Sequence, residues 1–392
     1  MVQELSHGLL NKGHNVIVCS TVVRDRLSSD AMTKNNASCV EENGIKIIRV
    51  KSKYQFSSNF IIRGLYQMLF PYLFWFNIKN KIKDDIDVIF TYSPPLAWAV
   101  LGIIIKKKYG ACYILNIQDI FPQNAIDLGV LKNKLLIKFY EYQEKKAYEA
   151  ADKLTSHTNN SRELLILKKG IPQQKIELIT NWIDIETYAN IPESNYYKEK
   201  YGLKNKFIFL FAGVMGPSQG LDFIIDTAKE INDKYPEICF LFVGDGLEKK
   251  RLKEMVKRSK LDNVVFKPLV SIEEYPKLLK SANVGLVTLS SLNKTGVYPA
   301  KIFGYIAASL PVCAILHKES DGHDLIKESG CGVSVYSDED QKVKNDIIIK
   351  MYNEKDKLKH YGLNGLEYVS NNFSKNKCID KIDNIIKTIV LI

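Results

Sequence analysis

A chain of 392 residues is too long for one ordinary hydrophobic core, so two domains are expected. With 46% hydrophobic and 25% charged residues, the composition is globular and excludes extensive disorder. Seven cysteines, odd in number and without a C-x-x-C pair, read as reduced thiols rather than a disulfide framework. The net charge of +11 asks for a partner, but no nucleic-acid-binding motif accompanies it, so nucleic acid is not the expected one.

Residues 2–13, VQELSHGLLNKG, read as an amphipathic helix closed by Gly13, followed by the strand HNVIVCS at 14–20. A doubly wound domain opens on a strand and a Gly-rich loop before its first helix. This chain opens in that helix, so the first domain is expected to lack its opening strand and loop, and strands at 14–20 and 87–93 to lose a partner. The polar-faced start is not read as a signal peptide.

No acidic residue occurs from 43 to 83, whereas Lys46, Arg49, Lys51, Lys53, Arg63, Lys79, Lys81 and Lys83 are basic. Within that window lies the aromatic run FIIRGLYQMLFPYLFWFNI, interrupted by Arg63, Gly64 and Pro71 and short of a clean span of roughly 20 apolar residues. Two readings stand: an element lying on an anionic membrane surface, or a core helix with a solvated basic flank.

Strands then alternate with helices: DVIFTYS at 87–93, a helix through Lys106, ACYILNI at 111–117, a charged helix at 134–150, KLTSHT at 153–158 and IELITNW at 176–182. After a hinge segment at 184–206 the pattern restarts with FIFLFAGVMGPSQGLDFIIDTAKEI and continues through ICFLFVGDG, NVVFKPL, VGLVTL and LPVCAI. The chain closes on a helix with no strand after it. This is a parallel sheet covered on both faces, twice over.

Three segments carry candidate chemistry. Gly213, Gly216 and Gly220 stand between a strand and a helix, where glycines let backbone N–H groups approach a diphosphate, or merely turn the chain. Gly244 and Gly246 permit a second tight turn, with Asp245 placed to cap the next helix. In GVYPAKIFGYIAASLPVCA (296–314), Pro299 starts a helix, Ile302, Phe303 and Ile306 mark its buried face, and Lys301 sits at its open N-terminus. That arrangement holds phosphate; a solvated lysine is the alternative. The six histidines are dispersed without ligand spacing, and no metal constellation or G-x-S-x-G elbow is found.

The 296–314 segment resembles the nucleotide-sugar signature of the retaining GT-B glycosyltransferases of family four, in particular bacterial enzymes of O-antigen, capsule and colanic acid assembly such as N-acetylfucosamine transferases. The resemblance implies an α/β GT-B fold: two Rossmann-like doubly wound domains facing a cleft, at 1–183 and 184–372, with a C-terminal helix, 373–392, crossing back. It implies transfer of a sugar, an N-acetylated deoxyhexosamine, from a UDP-linked donor to a lipid-linked glycan, with retention and without a metal or other cofactor. The place is cytoplasmic, peripheral to the inner membrane.

Residue by residue, the resemblance carries donor binding to Gly213, Gly216, Gln219, Gly220, Gly244, Asp245, Gly246, Lys267, Val270, Pro299, Lys301, Ile302 and Gly304. Val214 and Gln219 stand where the family usually carries arginine and lysine, and Gly296 and Gly304 where it carries two glutamates. Asp119, in NIQDIFPQNAIDLGVL, occupies the place of the family's active-site His or Asp, and Ser93 and Pro94 are acceptor-side candidates. Asn181 and Asp184 match the interdomain turn. A UDP-N-acetylhexosamine epimerase of the same fold and a catalytically inactive membrane-docked scaffold are the competing readings.

Overall fold

The computed structural model describes residues 1–22, 37–51, 60–189, 191–192 and 194–391; side chains of 22, 37, 60–65 and 67 are not described. Lys53 and the side chain of Arg63, both part of the basic window, lie outside the described residues. The amino-terminal half runs α1 (Val2–Asn11), β1 (Ile17–Val22), β2 (Ala37–Glu42), β3 (Ile45–Lys51), α2 (Phe60–Ile78), β4 (Val88–Ser93), α3 (Leu96–Tyr109), β5 (Cys112–Ile117), α4 (Gln123–Asp127), α5 (Lys134–Ala150), β6 (Lys153–Ser156), α6 (Asn159–Leu167) and β7 (Ile176–Leu178). After α7 (Glu186–Ala189) and α8 (Tyr196–Lys200), the other half runs β8 (Phe207–Val214), α9 (Asp222–Ile231), β9 (Ile238–Asp245), α10 (Lys249–Arg258), β10 (Val264–Lys267), α11 (Tyr275–Lys280), β11 (Val284–Thr288), α12 (Ala300–Ala307), β12 (Val312–Leu316), α13 (Gly322–Ser329), β13 (Gly332–Tyr336) and α14 (Gln341–Asn353). The helices α15 (Lys355–Asn372) and α16 (Lys375–Val390) end the described chain.

Among the described residues the strands form three sheets, ordered β1-β3-β2, β4-β5-β6-β7 and β10-β9-β8-β11-β12-β13. Only β2 and β3 pair antiparallel; every other ladder is parallel. β1 and β4 each end a sheet, with no strand paired to the other edge among the described residues. The six-stranded sheet is buried on both faces: Leu210, Leu241, Ala314 and Tyr305 lie in one cluster, and Phe209, Phe240, Ile315 and Ile348 in another. Continuous apolar strands such as FIFLFA and VCAIL follow from that double cover.

The run at 60–78 is one helix around Pro71. Its inner side buries Phe70, Phe74 and Ile78, and Phe70 and Phe74 meet Trp98 of α3 edge-on at 4.9 and 5.0 Å. Its outer side leaves Leu69, Tyr72, Leu73 and Phe76 in solvent, Phe76 at 71% exposure. The helix thus belongs to the core on one face and stays apolar on the other, so neither reading of the run describes it alone. Among the described residues no helix is long and apolar enough to cross a membrane.

The halves are joined twice. Ile183 bridges Ser374, and Lys375 pairs with Asp184 at 2.8 Å. α16 then lies on α1: Ile379 fills the space above Gly8, and Asp383 takes His14 and Lys387 at 2.7 and 2.8 Å. Trp182 Nε1 donates to Glu4 at 2.9 Å, fixing the linker to the same helix.

Candidate active site

In the six-stranded sheet the chain proceeds outward from β8 in one direction through β9 and in the other through β11. The crevice at the carboxyl ends of β8 and β11 is therefore the switch point where doubly wound sheets bind ligands. Tyr305 widens it. β8 and β11 pair only at Phe209/Val284 and Leu210/Gly285. Beyond them the Tyr305 hydroxyl takes over the freed β8 groups, accepting from Ala212 N–H at 3.0 Å and donating to the Leu210 carbonyl at 3.1 Å. Glycine is required at 285 because a Cβ there would sit 2.3 Å from the Tyr305 ring.

Lys301, in the first turn of α12, reaches into this crevice. Its Nζ donates to Gln219 Oε1 at 2.6 Å and lies 4.6 Å from the centre of the Phe211 ring. Burial of the ammonium pulls its pKa down to about 8. Gly213 makes room: its φ is +142°, and a Cβ there would stand 2.9 Å from Lys301 Cε. Gln219 belongs to a 3-10 turn, Pro217–Gln219, which Asn293 staples from the β11 side by donating to the Ser218 and Ser290 carbonyls at 3.0 and 2.9 Å. Gly220 ends the turn at φ +58° with Ser290 Cα 2.9 Å from its would-be Cβ. Gly216 is open, and Pro299 caps α12 without a side-chain bond.

The structure thus brings Gly213, Gln219, Gly220, Pro299 and Lys301 together. Gly244 and Gly246 form the back of the same loop, where Cβ atoms would strike the Gly213 and Met215 carbonyls. Asp245 differs from expectation: it is exposed, its carboxylate accepts the Gly246 N–H at 2.9 Å and lies 3.8 Å from Lys249 Nζ, and it does not cap α10, which starts four residues on. Ile302 lies wholly in the core, as its place on the buried face of α12 predicts, and its N–H is used by the Pro299 carbonyl, which sets it apart from its expected place among the donor-binding residues. Gly304 is buried, with the Tyr275 and Tyr188 hydroxyls 3.3 and 3.6 Å from a would-be Cβ, so two phenols stand at the station expected to hold glutamate. Lys267 lies over the Tyr201 ring at 4.8 Å, and Val270 packs on the core beside it.

In the amino-terminal half, Asp119 follows β5, half-buried, and burial raises its carboxyl pKa. Its neighbour Gln118 is fixed by Asn116 and by Asn181 of the linker, at 2.5 and 2.8 Å. Ser93 corrects the acceptor-side expectation: it is buried and its carbonyl accepts from Gln118 N–H. Pro94 instead lines a cavity with Met68, Leu96, Ala97, Phe121 and Tyr140. His157, read as one of the dispersed histidines, follows β6 and is buried; burial pulls its pKa down to about 4 and keeps it neutral, although its contact with the Ile117 carbonyl works the other way.

Sequence reasoning missed the contact that closes the cleft's far side. Thr158 caps α6, and the Asn160 N–H donates to Asp321 Oδ1 at 3.0 Å while its Nδ2 donates to the Glu319 carbonyl at 3.2 Å. Gly296 is pressed on the same turn, a Cβ there falling 2.5 Å from Asn160 Cβ and from Ser161 N. Thr158 ahead of a helix is a readable cap; the contact of Asn160 with Asp321, 161 positions away, is not.

Two family models between them match most of the chain: Glycosyltransferase Family 4 over 1–187 and Glycosyl transferases group 1 over 194–367. The chain is 24% identical over 286 residues to the probable glycosyltransferase WbjE of Pseudomonas aeruginosa, covering 69% of this chain and 67% of that protein. It is 26% identical over 227 residues to the putative colanic acid biosynthesis glycosyl transferase WcaI of Escherichia coli, covering 56% and 55%. A UDP-Gal:alpha-D-GlcNAc-diphosphoundecaprenol alpha-1,3-galactosyltransferase of Escherichia coli is 27% identical over 168 residues, 42% of each chain. Among solved structures, sucrose-phosphate synthase from Thermosynechococcus elongatus superposes with a TM-score of 0.76 over 99% of this chain and 92% of that one, at 15% identity. Anabaena Alr3699/HepE in complex with UDP gives 0.63 over 87% and 86%, at 16% identity. The first half thus carries a Glycosyltransferase Family 4 domain and the second a Glycosyl transferases group 1 domain, in that order, and the chain has the GT-B glycosyltransferase fold.

Proposed function

We propose that the protein transfers a sugar from a UDP-linked donor to a lipid-linked glycan in bacterial surface polysaccharide assembly. The observation that carries this reading is Lys301, a cation sunk at the N-terminus of α12 against the glycine loop, where a diphosphate gains both a positive charge and helix-end N–H groups. The UDP choice draws on the HepE complex, and the acceptor class on the diphosphoundecaprenol-dependent relative. The reading assigns 1–183 to an acceptor-side domain, 184–372 to a donor domain and 373–392 to the returning helix. An N-acetylated deoxyhexosamine such as N-acetylfucosamine is the proposed sugar, and the cytoplasmic face of the inner membrane the proposed place.

In this mechanism the donor diphosphate lies between Gly213–Gly220 and Lys301. As the glycosidic bond breaks, charge builds on the leaving phosphate, and Lys301 with the adjacent N–H groups stabilises it more than it does the ground state. Asp119 faces the donor sugar from the other half as the candidate catalytic carboxylate. Retention of configuration and independence of metal are part of the proposal, phosphate charge being met by Lys301. The uracil is assigned to the edge formed by Lys267 and Val270.

The test is a mass-spectrometric transfer assay with UDP-N-acetylfucosamine and a panel of UDP-sugars, using undecaprenyl-diphosphate-linked sugars as acceptors. Transfer by the wild type, lost in Asp119→Asn with UDP binding retained, is expected. Failure of UDP to bind in calorimetry overturns the donor assignment, and sugar epimerisation without acceptor overturns transfer.

A further inference from the structure

The cavity beside Pro94 lies on the carboxyl ends of β4 and β5, between α2 and α5. Its volume is ≈ 180 Å³, above the roughly 150 Å³ of an apolar cavity that holds a benzene-sized guest. Met68, Pro94, Leu96, Ala97, Phe121 and Tyr140 supply an apolar wall, with Phe121 and Tyr140 edge-on at 5.1 Å. Among the described residues, Gln143 and Tyr140 are the lining residues whose side chains carry polar groups. A sugar ring placed here would leave most of its hydroxyls unpaired, which is costly; a hydrocarbon would not.

Met68 belongs to α2, and one residue on begins the outer stripe of that helix. Leu69, Tyr72, Leu73 and Phe76 recur at the spacing of a single helix face and are all exposed. Lys79 lies 4.2 Å over the Phe76 ring at the stripe's end, the pairing of aromatic and cation that suits a phospholipid surface. An apolar cavity and an apolar outer stripe thus share one helix, and the cavity's Phe121 stands two residues from Asp119.

We infer that the cavity receives the head-proximal hydrocarbon, about one isoprene unit, of a polyprenyl-linked acceptor, while the stripe of α2 rests in the lipid surface. The inference rests on the proposed acceptor class and names where its tail is held. It makes tail length a determinant of acceptor affinity, and Ala97, at the cavity wall, the residue that sets the space available.

The experiment uses the full chain on vesicles of phosphatidylethanolamine and phosphatidylglycerol with a diazirine-bearing polyprenyl phosphate, reading cross-linked peptides. Label is expected on peptides holding Met68, Ala97 or Tyr140, displaced by unlabelled undecaprenyl phosphate and not by added phosphatidylglycerol. Ala97→Phe, which fills the cavity, should reduce that label at least severalfold with UDP affinity unchanged. Gln143→Leu, which removes the side-chain amide, should retain it. Label confined to the Leu69–Phe76 stripe, displacement by phospholipid, or label indifferent to Ala97→Phe overturns the inference. None of these outcomes depends on UDP-sugar turnover, so a failed transfer reading is separately visible.

Discussion

Asp321 accepts the Asn160 N–H at 3.0 Å and so ties the first turn of α6 in one half to the start of α13 in the other. Asp321 is 3% exposed, its Oδ2 has no hydrogen-bond partner among the described residues, and burial raises its pKa although the Asn160 N–H and the Thr158 side chain lower it. Gly296 rests on the same turn. The two halves are therefore held together at this edge as well as at the Ile183–Ser374 and Asp184–Lys375 pairs.

Gly296→Val tests this edge. Its Cβ would collide with Asn160 and Ser161 and force the halves apart there. Solution scattering should show a larger radius of gyration, and transfer should fall by up to about a hundredfold, the penalty for misplacing reacting groups by an ångström. UDP affinity should hold. An unchanged radius of gyration and rate would mean the 289–299 loop yields instead.

Lys301→Ala should weaken UDP binding by about 1.5–3 kcal/mol, the range for hydrogen bonds to a charged group. Calorimetry checks it, and an unaltered affinity would remove Lys301 from the diphosphate site.

The lowered pKa of Lys301 also predicts a pH profile. A bound diphosphate favours the charged amine, so binding takes up a proton wherever the free side chain is neutral. UDP affinity should be flat below about pH 7, then fall up to about tenfold per pH unit above 8. Lys301→Arg, which stays charged, should flatten the slope. In the free protein the sign is opposite: unfolded lysine holds its proton to the ordinary 10.5 while the folded one releases it near 8, so stability rises across that window.

α2 gives a membrane test. Wild-type co-sedimentation with vesicles should increase with anionic lipid and decrease with salt. Leu73→Asp with Phe76→Glu should abolish it and leave the melting temperature nearly unchanged, both side chains being exposed. Equal binding to neutral vesicles would reject the electrostatic part.

Glu144 and Lys169 form an ion pair at 2.8 Å, with Glu144 3% exposed and also accepting from Tyr148. Lys169→Met leaves that carboxylate alone and should cost about 3–5 kcal/mol at pH 7. Burial already raises the Glu144 pKa, so folding retains a proton that the unfolded chain releases. Stability contributed by this site falls as pH rises above 4.5, more steeply in the variant. Urea titrations at pH 4.5 and 7 would show the difference.

Much of the fold could be read from apolar runs because both faces of the parallel sheets are covered: FIFLFA, ICFLFV and VCAIL carry the pattern without help from tertiary context. The β2–β3 hairpin escaped, although Asn43-Gly44, both at positive φ, is a turn signal. It is antiparallel within a parallel pattern. α2 could not be assigned from sequence because an all-apolar helix shows no preferred face. In the site, Gly213 and Lys301 were legible from local glycine and helix-start chemistry. Asn160–Asp321 and Tyr305 on β8 depend on segments that meet across 161 and 93 positions, and no local signal encodes that.

The pairing of Ile183 with Ser374 and of Asp184 with Lys375 places two covalent crossings side by side. A single linker would let the halves swivel about any direction, like a ball in a socket. Two adjacent strands passing the same plane act as the pins of a door, leaving one axis of rotation and suppressing twist. The Asn160–Asp321 contact is then the catch on the free edge, and substrate entry becomes a one-dimensional swing whose amplitude is set by how often that catch is released.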